Sequence, residues 1–119
     1  MSTQILSKPA DSVFNQESEL NINQINLVGN AGTDPAVKYF ESGSVKCTLT
    51  LAVRSLKKDQ PIWFNLELWN KTAEVAANYV VKGKQIGVTG SLKIETWRDR
   101  TLDVIRSKPI IMVSKLYLL

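Results

Sequence analysis

The sequence predicts an all-β fold, a five-stranded barrel with one short helix between the third and fourth strands. Two observations indicate this fold. Residues 45–54 and 61–69 alternate apolar and polar side chains with a period of two, as strands that bury one face do. Residues 71–81 instead place apolar side chains at helical spacing, and further strand-like segments follow. With 119 residues, 44% of them hydrophobic, the chain suits one domain with a modest core.

The first half of the chain predicts two strands. The first strand is expected at residues 22–32, followed by a turn at Asp34 and Pro35 and a short extended piece at residues 37–40. The turn signal at residues 41–44 then leads into the second strand, residues 45–54. The side chains of that strand predicted to face the core are Val45, Cys47, Leu49, Leu51 and Val53.

The second half predicts three more strands and the helix. A polar loop at residues 55–60 leads to the third strand, residues 61–69. Asn70 is predicted to cap the helix, and Gly83 is predicted to end it. The fourth strand is expected at residues 85–97, a hairpin connection at 98–105 and the fifth strand at about 106–118. This order is that of the OB fold, a Greek-key barrel whose second and third strands and first-second and fourth-fifth loops bind oligonucleotides.

The fifth strand is apolar on both of its predicted faces. A strict alternation places Ile110, Met112 and Leu116 on one face and Ile111, Val113 and Tyr117 on the other. A strand that is buried on both sides indicates packing between subunits, since the apolar end at residues 116–119 would otherwise be exposed.

All three tryptophans lie on the polar side of their strands. Trp63 and Trp69 share a face with Glu67 in the third strand, and Trp97 shares a face with Lys93 in the fourth. A large ring on a wet face is costly unless something covers it, and every base of single-stranded nucleic acid offers a π-face for stacking. The three tryptophans are therefore the candidate stacking residues. Packing against protein is the alternative, strongest for Trp69, which could cover the start of the helix.

The charge distribution favours a polyanionic partner. The net charge is +4, and acidic residues outnumber basic ones within residues 1–21, so the remainder of the chain is distinctly basic. Glu67 and Glu95 lie on the same predicted face as the tryptophans, where they oppose DNA or pair with nearby cations. The candidate phosphate contacts are Lys46, Arg54, Lys57, Lys58, Lys93, Arg98 and Arg100.

The residue content argues against catalysis, a cofactor or a metal site. The chain has no histidine, no G-x-S-x-G motif, no P-loop and no cysteine cluster for zinc. Its one cysteine, Cys47, alternates with core residues and is expected to be one of them, and no internal disulfide can form. No secretory signal and no run of roughly 18 apolar residues is visible, so we expect a cytoplasmic protein.

Four motifs stand in order along the chain: VGNAGTDP at residues 28–35, KYFESGSV at 38–45, WFNLELW at 63–69 and KTAEVA at 71–76. Together they resemble bacterial single-stranded DNA-binding proteins from about residue 22 to 119, and the second and third are most similar to the cyanobacterial branch. The resemblance implies a protein of the nucleoid, usually a homotetramer, that binds single-stranded DNA without sequence preference. It also implies base stacking on Trp63, Trp69 and Trp97, and roles in replication, repair and recombination alongside other proteins of those processes.

The chain departs from that family pattern at four places. Many relatives continue into a linker and an acidic C-terminal tip, whereas the sequence given stops at Leu119, like the short cyanobacterial type. Leu56, Lys57 and Lys58 stand where relatives often place another aromatic residue, and the hairpin at residues 102–105 is more apolar than usual. Residues 1–21 have no counterpart. They are expected to form a flexible polar extension, or to dock on a neighbour, and residues 22–119 form the predicted binding domain.

Two other functions remain open from the sequence. The apolar hairpin and fifth strand are also typical of an OB-fold assembly module whose main partner is protein. Single-stranded RNA is the other alternative ligand, because stacking on tryptophan does not require deoxyribose.

Overall fold

The computed structural model describes residues 20–57 and 59–119, which form six strands and one helix. The strands are β1 (Ile25–Ala31), β2 (Ala36–Tyr39), β3 (Val45–Val53), β4 (Ile62–Trp69), β5 (Gln85–Asp99) and β6 (Val104–Leu118), and the helix is α1 (Asn70–Tyr79).

Five of the six strands close into a barrel. β1 pairs with β5, β5 with β6 and β3 with β4, all antiparallel, while β4 pairs with β6 in parallel. A short antiparallel pairing of β1 with Leu51 and Ala52 of β3 completes the circle. The predicted OB barrel, with its helix between the third and fourth barrel strands, is confirmed. The extended piece predicted at residues 37–40 is β2, which pairs with the other end of β3.

The core fills the barrel with the inward side chains of β3, β4, β5 and β6. Leu51, Leu66, Leu68 and Ile86 are fully buried, and each contributes roughly 1.5–3 kcal/mol by leaving water. Cys47 lies among them, as the alternation predicted, and burial raises the pKa of its thiol. The helix packs against this core through small buried residues, Ala73 and Ala76.

Both predicted helix boundaries need correction. Asn70 is not the cap, because Trp69 precedes the first helical turn and makes no side-chain capping bond. Asn70 has a positive φ of 51°, and its Oδ1 accepts a hydrogen bond from the backbone N–H of Val45 at 3.1 Å. Gly83, with a φ of 93°, lies three residues beyond the helix cap Val80. Its backbone N–H donates a hydrogen bond to the Ala31 carbonyl.

An extra residue in β6, Ser114, reverses the alternation of that strand. Thr89 of β5 pairs with Lys115, whereas the next residue, Gly90, pairs with Val113, so Ser114 has no partner of its own. Its hydroxyl donates to the Thr89 carbonyl at 3.0 Å. A bulge of this kind bends the strand and exchanges its two faces beyond the inserted residue.

The faces predicted for the fifth strand are therefore wrong beyond the bulge. Leu116 was expected beside Ile110 and Met112, but it packs against the same core as Ile111 and Val113. A period of two cannot show the inserted residue, because a bulge is specified by the partner strand.

Some predictions fall on residues that the structure does not describe. The extension at residues 1–21 lies outside the described residues apart from Leu20 and Asn21, and Lys58 lies outside them as well. Close to the predicted domain boundary, the side-chain amide of Asn23 pairs with the backbone of Leu92, donating to its carbonyl and accepting from its N–H, both at 2.8 Å. This contact ties the chain to β5 just before β1 begins.

Within residues 20–57 and 59–119, no helix has the length and apolar character needed to cross a membrane. The same described part of the chain holds no group of three or more His, Cys, Asp or Glu side chains that could bind a metal ion.

Candidate nucleic-acid interface

One side of the barrel, here called the polar face, carries all three tryptophans. Directly paired residues of adjacent strands point to the same side, so the register shows which side chains share this face. Across β3 and β4 the pairs are Lys46 with Trp69, Thr48 with Glu67, Thr50 with Asn65 and Ala52 with Trp63. Across β5 and β6 they are Lys93 with Ile110, Glu95 with Lys108 and Trp97 with Arg106.

A cleft of about 370 Å³ lies on the polar face between these strands. Its lining is mixed in charge and contains hydrogen-bonding groups as well as aliphatic carbon. The lining residues that come from the pairs above are Lys46, Thr48, Thr50, Asn65, Glu67, Glu95, Lys108 and Ile110. A cleft of this composition suits a flexible polar chain better than a small apolar ligand.

Trp63 is the most exposed of the tryptophans, with 58% of its surface open. The six-membered part of its indole lies directly over Gly32, where an added Cβ would overlap ring atom Cζ3 and the Thr50 hydroxyl. The absence of a side chain at Gly32 therefore leaves room for the ring beside the end of β1, while more than half of the Trp63 surface stays open to solvent.

Trp97 lies in the arm, the name used here for residues 94–109, where β5 and β6 extend beyond the barrel and pair only with each other. It is 43% exposed. The ammonium of Lys108, on the neighbouring strand, is 5.9 Å from the ring centroid, within the range of a cation–π contact. A base that stacks on Trp97 would thus find a positive charge nearby.

Trp69 has different surroundings, because protein groups already contact its ring. Phe40 stacks on it, with ring centroids 5.6 Å apart and an interplanar angle of 23°. Lys46 Nζ is 5.8 Å from the same centroid, and the indole Nε1 donates to Glu67 Oε1 at 3.1 Å. Trp69 is half-buried, so protein groups cover part of its ring and part remains accessible.

Glu67 is 2% exposed, and it lies at the centre of the polar face. Lys93 Nζ is 2.7 Å from Oε1, and Lys46 Nζ is 3.3 Å from Oε2. Burial by itself would raise the pKa of Glu67, but the hydrogen bonds from Lys93, Trp69 and Lys46 and the charge of Lys93 outweigh it. The pKa of this carboxyl therefore lies below its usual value, and the group stays ionised at neutral pH.

The predicted phosphate contacts divide into paired and unpaired cations. Lys46 and Lys93 are paired with Glu67, and Arg98 is paired with Asp103 on the arm. Arg54, Lys57 and Arg100 are exposed and form no ion pair with another described residue. The unpaired cations lie at separate places, Arg54 and Lys57 just after β3 and Arg100 in the turn between β5 and β6, and do not form one cluster.

Three functional candidates were missed by the sequence reasoning. Lys108 lies beside Trp97, Phe40 stacks on Trp69, and Lys38 Nζ lies 5.0 Å from the Phe40 ring. The register of the predicted hairpin could have located Lys108, since it pairs with Glu95 two residues before Trp97. No local pattern signals Phe40, because its position depends on β2 pairing with β3.

A second ion pair stiffens the tip of the arm. Arg106 Nε donates to Asp99 Oδ2 at 2.6 Å, and Asp99 Oδ1 accepts from the N–H groups of Thr101 and Leu102. The bond from Arg106, followed by that from Leu102, lowers the pKa of Asp99. This network fixes the turn that carries Arg100, and it lies at the exposed end of the molecule.

The chain is similar to a set of known proteins over the part that forms the barrel. The family model described as Single-strand binding protein family matches residues 22–119. Single-stranded DNA-binding protein 1 of Nostoc sp. is 63% identical over 101 residues, which cover 84% of this chain and 85% of that protein. The Single-stranded DNA-binding protein of Thermosynechococcus vestitus is 58% identical over 101 residues, which cover 84% of each. Single-stranded DNA-binding protein 1 of Synechocystis sp. is 58% identical over 103 residues, covering 84% of this chain and 85% of that protein.

Proposed function

The chain belongs to the single-strand binding protein family, and we propose that it holds single-stranded DNA on its polar face by stacking bases on tryptophan. It is a single-stranded DNA-binding protein and not an enzyme. One observation carries the proposed mechanism: Trp63 and Trp97 lie on the same polar side of the barrel with large open ring surfaces. Stacking uses a surface that every base has, so this mode of binding carries no sequence preference.

The strand would pass three stacking positions. Trp63 and Trp97 offer open rings, and Trp69 offers the part of its ring that Phe40 leaves uncovered. The cleft of about 370 Å³ between them has room for the sugar-phosphate chain of the intervening nucleotides. Each stacked base contributes roughly 1–3 kcal/mol, so three positions together contribute about 3–9 kcal/mol, to which the phosphate contacts add.

The phosphate contacts proposed are the seven basic residues that the sequence indicated. Arg54, Lys57 and Arg100 have no competing carboxylate among the described residues. Lys46, Lys93 and Arg98 would share their charge between a phosphate and a carboxylate that they already contact, and Lys58 is proposed from its sequence position alone. If about four phosphates are neutralised per subunit, log K falls with log salt with a slope of about −3.

A homotetramer is the proposed assembly. Val28, Tyr117 and Leu119 border an exposed apolar groove of about 290 Å³ between β1, β5 and the end of β6. Protection of exposed strands in replication, repair and recombination, alongside proteins of those processes, is the proposed cellular role. Sedimentation that shows a monomer at micromolar concentration would overturn the tetramer while leaving the DNA-binding proposal intact.

The alternative function, a protein-assembly module, has one observation in its favour. The apolar side of the arm is exposed at Ile94 and Ile105. That surface lies on the opposite side of the arm from Trp97, as the alternation requires. It is therefore compatible with a protein partner bound at the same time as DNA, and it does not compete with the stacking positions.

Titration with oligo-deoxythymidine, followed by tryptophan fluorescence at low and high salt, tests the proposed function. Strong quenching that weakens with salt is the expected result, because bases would cover indoles and phosphates would release counterions. No quenching at low salt would overturn the proposal and favour the assembly module. A parallel titration with an RNA oligomer of matched sequence tests whether the protein prefers DNA to RNA. Tighter binding of the RNA would make RNA the ligand.

A further inference from the structure

A buried carboxylate on a surface that binds a polyanion is costly twice. Glu67 has lost nearly all of its hydration, and its charge repels phosphate. A neutral residue that packed at this point of β4 would avoid both costs. The barrel itself does not require a carboxylate at this position, and the ion pairs of Glu67 change the charge that the polar face presents to DNA.

The carboxylate joins three strands of the polar face. Glu67 itself lies on β4, Lys46 reaches it from β3 at 3.3 Å, and Lys93 reaches it from β5 at 2.7 Å. The Trp69 indole donates to the same oxygen as Lys93, at 3.1 Å. One negative charge thus holds two ammonium groups and one stacking ring in fixed positions.

Both lysines remain open to solvent on their outer side. The side chain of Lys46 is 27% exposed and that of Lys93 is 39% exposed, whereas Glu67 is almost inaccessible. A phosphate can therefore approach the lysines but cannot approach the carboxylate closely. The cluster presents two positive groups to the strand, and its net charge is one positive charge.

We propose that Glu67 is a built-in countercharge that limits the salt dependence and the low-salt affinity of single-stranded DNA binding. It keeps Lys46 and Lys93 in place for the strand while cancelling one of their two charges. The cluster then offers phosphate one net positive charge instead of the two that the lysines would offer without the carboxylate. This inference rests on the proposed function, since it assigns a specific electrostatic role within the same binding face.

The test compares wild-type protein with Glu67→Gln in titrations of oligo-deoxythymidine across a range of salt concentrations. The amide keeps the size of the side chain and an acceptor for the Trp69 indole, but it removes the charge. The log K versus log salt slope is expected to become more negative by about 0.7 per engaged subunit. If the two proteins bind equally at 1 M salt, the same slope change makes binding tighter by roughly eightfold per engaged subunit at 50 mM salt.

A double variant separates this electrostatic effect from structural damage. Glu67→Gln with Lys93→Gln restores the net charge of the cluster to one positive charge, so the slope should return to the wild-type value. Lys93→Gln alone should make the slope less negative by about 0.7. A variant that is merely misfolded would bind more weakly and would not acquire a steeper slope.

The outcomes distinguish this inference from the proposed function. If wild-type protein binds and Glu67→Gln shows an unchanged or shallower slope with a cooperative thermal transition, the countercharge role is refuted and DNA binding stands. If Glu67→Gln does not fold, Lys93→Gln still decides, because an unchanged slope in that variant refutes a contribution from the cluster. If wild-type protein shows no quenching at low salt, the proposed function itself fails.

Discussion

Trp69 and Trp97 lie on the same polar face, yet their surroundings differ in nearly every respect. Trp69 is half-buried at the end of β4, stacked on Phe40 and hydrogen-bonded to Glu67. Trp97 lies on the arm beyond the barrel, where solvent reaches 43% of its surface and Lys108 is its one cation–π neighbour among the described residues. One ring is packed against other protein groups, whereas the other is exposed to solvent.

If DNA binds the polar face as proposed, the difference separates a preformed end of that face from an exposed end. At the Trp69 end the ring, two lysines and a carboxylate are already held in place before DNA arrives, which lowers the entropy lost on binding. At the Trp97 end the ring is exposed, and Lys108 is the contact that the structure gives it, so more of the ring's freedom is lost when a base stacks on it. Changes at the two ends should therefore affect stability and affinity in different proportions.

The largest expected effect is on stability at the Trp69 end. Trp69→Ala removes a half-buried ring from its stack on Phe40 and leaves Glu67 without one donor. We expect the free energy of unfolding to fall by about 3 kcal/mol, the lower end of the range for large aromatic truncations. Urea denaturation measures it. The matched control is Trp97→Ala, expected within about 0.5 kcal/mol of wild type, and equal losses in both variants would contradict the comparison.

The next effect is on affinity at the exposed end. Trp97→Ala is expected to weaken binding of oligo-deoxythymidine by roughly 1–3 kcal/mol, because one stacking surface is lost without a change in the fold. Equilibrium titration at fixed salt measures this loss, and mixed-sequence oligomers should lose affinity to the same extent. Trp97→Phe keeps a ring and should recover part of the affinity. A loss confined to one base sequence would count against stacking as the mechanism.

A smaller effect should appear in the dependence of stability on pH. The pKa of Glu67 is depressed in the folded protein, so its stabilisation is fully present above the unfolded value of about 4.3. That contribution is lost as the pH falls through the depressed pKa, where the folded carboxyl takes up its proton. Unfolding measured from pH 6 downward should therefore show a steeper decline for wild type than for Glu67→Gln.

Asp99 provides the matched comparison at the arm. Its pKa is also depressed, through Arg106, but the ion pair lies at the exposed tip, where water and salt screen it. Asp99→Asn should change the pH profile less than Glu67→Gln, and added salt should remove the remaining difference. If the two substitutions weaken the pH dependence of stability equally, burial of Glu67 does not increase the contribution of its ion pairs to that dependence.

The strand order, the helix between the third and fourth barrel strands and the side of each tryptophan could all be predicted from the sequence. Alternation along one strand decides which residues share a side, and it correctly separated Trp63 and Trp69 from Leu66 and Leu68. Alternation could not predict how far each side chain on a given face is buried. Glu67 was expected on a wet face, and it is buried because lysines from two neighbouring strands cover it.

The sequence by itself determined the barrel and the composition of its polar face, because both follow from local periodicity and from the order of turns. Only the tertiary structure decided the partners: Phe40 on Trp69, two lysines on Glu67, and Leu116 packed against the core beyond the bulge at Ser114. These depend on strand register and on contacts between residues distant in the chain. Such contacts are set by the packing of the whole barrel, and no single segment carries them.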